Sequence, residues 1–306
     1  MNTDRQRLLW MAGGAALAVA VAAFLFYTGR GLKTTFDLLR HLPHGDAAVL
    51  SVDVDTLRRA GILKLFAAAV GEQEQEYKAF VATSGFDYSR DLDRALLAFH
   101  PDSVYFLLHG RFDWKKLEAY TGSQGGSCFN GLCRMPASTP GRKISFFALR
   151  TDWMAMAVSV DDFAASRMSE AAESGKVFTS EQPVWLFLTP RAMREAETFP
   201  SGTQLFVKAM QDTEGILLSV GASGAALEAR LDAHCRSRKE AEVLTATLQK
   251  ITRLLGDLIA REKAKPKAGD LAHLLMSGAF QQQDQRVIGR WPVEPAFLEA
   301  LAGATR

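Results

Sequence analysis

Residues 8–27 read LLWMAGGAALAVAVAAFLFY, an apolar run without a charge. Coiled as a helix at about 1.5 Å per residue, such a run is roughly 30 Å long, the thickness of a bilayer's hydrocarbon core. It therefore decides where the rest of the chain can work. Arg5 and Arg7 precede it, Arg30 and Lys33 follow it, and Trp10 and Tyr27 stand near its ends, where amphipathic rings prefer the headgroup level. Ala18, Ala20 and Ala22 offer small residues at signal-peptidase spacing, but cleavage there leaves Phe24, Leu25, Phe26 and Tyr27 at a new N-terminus. Retention as a transmembrane helix is the expectation. Basic residues on both sides give no direction, so orientation follows from size: residues 1–7 form a short cytoplasmic tail, and the large C-terminal part lies outside the cytoplasm.

The cysteines bear on that orientation. Cys128 and Cys133 bracket the segment CFNGLC, in which Asn130-Gly131 is a strong signal for a two-residue type I′ hairpin. In that register Phe129 faces Leu132, and Cys128 faces Cys133 on the next, closer rung, at a spacing that suits a disulfide. Two reduced thiols, or a redox or metal pair, are the alternatives; the C-x4-C spacing lacks a second ligand pair and is not C-x-x-C. A disulfide here requires an oxidising compartment, which agrees with an extracytoplasmic domain. Cys235 has no evident partner and reads as a buried free thiol.

Beyond the apolar run, a formal charge of +2 and interspersed acidic and basic residues make a poor nucleic-acid signature. Element order suggests an internal duplication. Residues 48–60 and 184–196 each read as a short buried strand running into a helix, with Asp55 and Thr189 as caps and Pro190 in a first helical turn. Strand-like runs follow at 95–99 and 104–112, and at 215–220 and 226–233, then helices at 114–120 and 239–260. Each half closes on two strands and a short helix: 144–149, 153–160 and 161–165 in the first, 274–281, 286–291 and 294–298 in the second. Leu244, Leu248, Ile251, Leu255 and Leu258 recur at four and three residues, as in a helix packed on its own sheet, with a dimerisation helix as the alternative.

The fold expected is thus α+β: an N-terminal transmembrane helix, then two duplicated ferredoxin-like-related units with antiparallel sheets. The divisions are a cytoplasmic tail at 1–7, the transmembrane helix at 8–27 and a juxtamembrane linker at 28–45. A first α+β unit with an inserted hairpin occupies 46–172, a linker 173–182, and a second α+β unit 183–306.

No coherent catalytic constellation is found. His41 and His44 straddle Pro43, which breaks any helix that could place them on one face, and no carboxylate completes H-E-x-x-H. His100 and His109 flank a strand, and His234 stands beside Cys235 without a second ligand nearby. Residues 221–225, GASGA, fall short of G-x-S-x-G; the glycines at 122, 125 and 126 precede a hairpin and lack the Lys-Ser/Thr of a P-loop. The pairs Asp53/Asp55 and Asp91/Asp93 suit acid–base work in principle but fit no calcium loop. Strand aromatics such as Tyr105, Phe106, Trp153, Trp185 and Phe187 suit either a packed core or an open face that takes a lipid, glycan or peptide. The basic stretch at 261–267 suits a frayed helix end stopped by Pro266, with contact to anionic headgroups as the alternative.

Residues 41–53, HLPHGDAAVLSVD, follow the apolar run and resemble the opening of uncharacterised bacterial membrane-anchored extracytoplasmic proteins, which begin LP-x-x-aa-v-l-x-v-d. The resemblance covers this segment alone and implies location, with no site residues. The function expected is a membrane-anchored extracytoplasmic binding or scaffolding protein of the cell envelope. An envelope hydrolase built from sequence-distant residues is the competing reading, and a carrier of a lipid or other apolar ligand is a third. Partners are the bilayer, through 8–27, and an envelope protein or apolar ligand; no cofactor, metal or catalytic residue is assigned.

Overall fold

The computed structural model describes residues 38–63, 74–170, 177–194, 203–223, 226–261 and 267–304. From the start of the sheet, the elements run β1 (Ala48–Asp53), α1 (Val54–Arg59), α2 (Glu74–Ser84), α3 (Tyr88–Asp91), β2 (Leu92–Phe99), β3 (Ser103–Gly110) and α4 (Trp114–Ser123). The hairpin β4 (Ser127–Phe129) and β5 (Leu132–Pro136) comes next, then β6 (Lys143–Arg150), β7 (Trp153–Ser159) and a 3₁₀ turn, Ala164–Met168. The second half holds β8 (Val184–Leu188), α5 (Pro190–Arg194), α6 (Gln204–Met210), β9 (Gly215–Ser223), β10 (Ala226–His234) and α7 (Arg238–Arg261). It closes with α8 (Leu271–Met276), β11 (Ala279–Gln283), β12 (Arg286–Val293) and α9 (Pro295–Ala304).

All of these strands belong to one sheet of 12, in the order β11-β12-β10-β9-β8-β1-β2-β3-β7-β6-β5-β4. The expected pair of separate, ferredoxin-like-related sheets is overturned. β1 and β8 pair antiparallel, Val49 opposite Phe187 and Val52 opposite Val184, so two strands that would otherwise be open edges cover each other. Outward from this seam the order is β1-β2-β3-β7-β6 on one side and β8-β9-β10-β12-β11 on the other, with β5 and β4 added beyond β6. Three consecutive strands on each side lie next to one another as an antiparallel meander, and no split βαβ unit forms among the described residues. The transmembrane helix expected at 8–27 is likewise not supported: no helix among the described residues is long and apolar enough to cross a membrane, and 8–27 lies outside those residues. The chain divides into two units, Met1–Arg40 and His41–Arg306; of the first only residues 38–40 are described.

Local chemistry places the elements. Asn130 and Gly131 take φ of 49° and 80°, the left-handed pair that a type I′ turn requires, and Cys128 is bonded to Cys133 across the hairpin in the expected register. Thr189 caps α5, its hydroxyl accepting from the amide of Ala192 at 3.2 Å. At α1 the cap is Asp53, which accepts from Thr56 at 2.9 Å, and not Asp55, which pairs with Arg58 and Arg59. Residues 271–276 form α8 where a strand over 274–281 was expected; the strand begins at Ala279.

Alternation along the strands sorts side chains onto two faces. One row on the helix-bearing face crosses every strand: Cys128, Cys133, Phe146, Met156, Phe106, Leu97, Leu50, Leu186, Leu218, Leu231, Gly289 and Phe280. At one end of the row α4 packs Leu117 on Phe146 and Met154. At the other, α6, α7 and α8 cover Leu231, Phe280 and Trp291. Gly289 is a close-approach position: a Cβ there would lie 2.9 Å from both Phe280 and Trp291. The opposite face buries Val49, Leu96, Ala98, Leu107 and Phe187. Part of its cover comes from the connection between β7 and β8, where the amide of Ala165 donates to Ser145 Oγ at 3.0 Å and Phe178 stacks on His234. Residues 41–47 are tied in beside it: His41 Nδ1 donates to the carbonyl of Met168 at 3.1 Å, and His100 Nε2 to that of Pro43 at 2.8 Å.

The outermost strands are tied down. Gln249 of α7 donates to the carbonyl of Phe280 on β11 at 3.2 Å, and Gln282 donates to that of Arg238, where α7 starts, at 2.9 Å. At the other border the disulfide holds the three-residue β4 to β5. Closing so short a loop restricts the unfolded chain by about 2 kcal/mol. Cys128→Ser/Cys133→Ser is therefore expected to lower the unfolding free energy measured in urea by about 2 kcal/mol while leaving far-ultraviolet circular dichroism unchanged; an unchanged unfolding free energy would count against a structural role.

Candidate functional site

A cavity of about 350 Å³ lies between the second half of the sheet and the helices over it. Its floor is Leu186 and Leu188 of β8, Ile216 and Leu218 of β9, Leu231 of β10 and Trp291 of β12. Its roof is Phe206, Val207 and Met210, which the spacing of α6 puts on one side of that short helix, together with Leu274 and Leu275 of α8. Ser219 and Arg230 border it through the sheet, but strand alternation sends their side chains to the opposite face. The wall is accordingly apolar.

That volume is above the roughly 150 Å³ that admits benzene and near the lower end of the roughly 300–1,000 Å³ usual for small-molecule sites. It suits one aliphatic chain or a compact ring system. Trp291 Nε1 is buried at the wall without a hydrogen-bond partner among the described residues, against Gly278, where a Cβ would come within 2.4 Å of it. A buried donor left unpaired costs about 1–3 kcal/mol, so this wall carries a polar debt in an otherwise apolar setting.

The residues singled out from sequence lie elsewhere. Cys235 is a buried free thiol in a cleft of about 550 Å³ between the end of α6 and the start of α7, rimmed by the exposed Asp212, Arg236, Lys239 and Glu240. Burial, then the charges of Glu240 and Glu214, pushes this thiol up to about 11. The carboxylate pairs are spent on neighbours. Asp53 caps α1 and pairs with Arg94 at 3.3 Å; Asp93 meets Arg58 at 3.6 Å and His109 at 3.7 Å. Asp91 is buried, receives Arg90 at 2.6 Å and Arg111 at 3.3 Å, and accepts the amide of Asp87 at 3.0 Å. Hydrogen bonds from Arg90, set against the cost of burial, hold it down at about 2. His234 contacts Asp232 at 3.4 Å, and the Asp232 carboxylate also receives Arg286. Among the described residues no group of three His, Cys, Asp or Glu side chains is placed to hold a metal ion.

None of the cavity residues was singled out as a site from sequence. The signal available was weak: α6 is seven residues long, too short to display a period, and the last three residues of α8, 274–276, read as the start of a strand.

Two measurements check the electrostatics. A thiol raised from 9.0 to about 11 has about 100-fold less thiolate at neutral pH, so Cys235 in the folded chain is expected to react with a disulfide reagent at least about 100-fold more slowly than after denaturation. Comparable rates would contradict its burial. The depressed Asp91 stabilises the fold above its unfolded value of 3.8, and this contribution is lost as pH falls through about 2. Asp91→Asn is expected to cost about 1 kcal/mol in urea unfolding at pH 7, after allowance for the exposure of Arg90 and Arg111, with the deficit vanishing near pH 2.

No protein-family model matches the chain, and no curated protein matches it. Among solved structures the chain is similar to TP0453. Crystal form I gives a TM-score of 0.51 at 12% identity, covering 88% of this chain and 97% of that one. Crystal form IV gives 0.46 at 13% identity, covering 87% and 95%. At such identity the likeness is one of fold alone, and it extends over most of both chains.

Proposed function

We propose that this chain is an extracytoplasmic binding protein that holds a single apolar chain or compact apolar ring between its sheet and the helices α6 and α8. The observation that carries the reading is the cavity of about 350 Å³ with an apolar wall. A hydrophobic space of that size is filled at little cost by an apolar ligand, since each methylene taken from water contributes about 0.8 kcal/mol. The Cys128–Cys133 bond supports the location, because such bonds persist in oxidising compartments. Binding, rather than chemistry, suits a wall to which the strands bring apolar side chains and the ionisable clusters bring none.

The reading is tested with a fluorescent fatty-acid probe titrated into the full chain. Saturable one-to-one binding is expected with a dissociation constant on the order of 10–100 μM, comparable to the affinity of a single myristoyl chain for a bilayer. Leu218→Trp, which fills the cavity from its floor, is expected to weaken binding at least about 10-fold with the circular dichroism spectrum retained. Val207→Trp does the same from the roof. Binding that neither substitution changes would sink the assignment of the site, and absence of saturable binding by the unaltered chain would sink the function.

A further inference from the structure

The helix α7 carries a second apolar surface that the cavity does not use. In its first half Ala241, Leu244 and Leu248 are buried against the sheet. Along another line of the same helix Val243, Leu254 and Leu258 are 60%, 47% and 52% exposed. Val243, Thr247, Lys250, Leu254, Leu258 and Arg261 succeed one another at three and four residues, so they form one stripe beside the core-facing one. Single exposed leucines are ordinary on a protein surface; here Leu254 and Leu258 stand one turn apart with Lys250 and Arg261 on the same line, and Val243 lies about three turns before Leu254.

Charge selects the occupant. The exposed C-terminal half of α7 bears Lys250, Arg253 and Arg261 against one acid, Asp257, and none of the four forms an ion pair among the described residues. Lys267 follows shortly after the helix. A protein partner or a second copy of this chain, itself near electrical balance, gives no reason for so one-sided a rim. A helix whose exposed leucines stand among Lys and Arg residues has the make-up of one lying in a lipid headgroup layer.

We propose that the exposed stripe of α7 docks the protein onto an anionic lipid surface. Leu254 and Leu258 enter the headgroup boundary and Lys250, Arg253 and Arg261 meet the phosphates. The proposal rests on α7 and not on the cavity, so it stands or falls separately from the ligand reading.

The test places an environment-sensitive fluorophore at Leu254→Cys in the full chain, with Leu258→Cys as a second site and the exposed Lys115→Cys of α4 as a remote control. Phosphatidylcholine vesicles with phosphatidylglycerol are expected to shift the emission at 254 and 258 to the blue, with no shift at 115 and none with phosphatidylcholine alone. Each cation near such a surface contributes about 1 kcal/mol, so Lys250→Gln/Arg253→Gln/Arg261→Gln is expected to weaken the response roughly 100-fold. No shift with the anionic vesicles would overturn docking by this helix. A shift unchanged in the triple variant, or equal with neutral vesicles, would overturn docking through an anionic surface. A shift that grows with protein concentration in the absence of vesicles would make a second copy the occupant.

Discussion

The fold depends on the pairing of β1 with β8. These strands begin the two halves of the sheet and are separated by most of the first half in sequence, yet Val49, Leu50, Ser51 and Val52 lie opposite Phe187, Leu186, Trp185 and Val184. The amide of Asp53 extends the seam by donating to the carbonyl of Pro183 at 2.7 Å. Val49, Trp185 and Phe187 are almost wholly buried there, and side chains of this size are each worth about 1.5–3 kcal/mol when removed from water. Just beyond the strands the Thr189 hydroxyl donates to the carbonyl of Asp46, and Arg191 pairs with the Asp46 carboxylate at 2.8 Å. Without the seam each half would present an open apolar edge, the arrangement that invites pairing with the wrong chain.

Features specified by neighbouring residues were legible in the sequence. The CFNGLC hairpin follows from the conformations that Asn130 and Gly131 accept, and the long helix α7 from the spacing of Leu244, Leu248, Ile251 and Leu255. Thr189 and Pro190 announced α5 correctly. Asp53 and Asp55 illustrate the limit of such reading. Both are acids two residues apart at a helix start, and the choice of Asp53 as cap depends on where the strand before it ends. The junction of the halves was not legible at all. AVLSVD and VWLFL are short apolar runs that suit the centre of two sheets as well as the centre of one, and nothing local names the partner.

The cavity shows the same division. Leu186, Leu218 and Leu231 belong to strands that sequence located, but they become a floor only because β8, β9 and β10 lie side by side. The roof comes from α6 and α8, elements of seven and six residues whose helical form is imposed by what they cover. Gly289 shows how finely the packing is set, since the row of large side chains across the sheet is interrupted there to admit Phe280 and Trp291. Short helices over an apolar floor are also the elements least costly to displace, as the proposed ligand would require of this wall.

The glutamine contacts at the β11 border have a consequence for how many molecules can share one sheet. A twelve-stranded antiparallel array is a template that a further strand could extend, and the Phe280 carbonyl is one of the acceptors such a strand would seek. Gln249 already occupies it, and the backbone of α7 is fastened beside it through Gln282. The same helix that seals the core thus acts as a terminator, so that crowding many copies together need not lengthen the ladder.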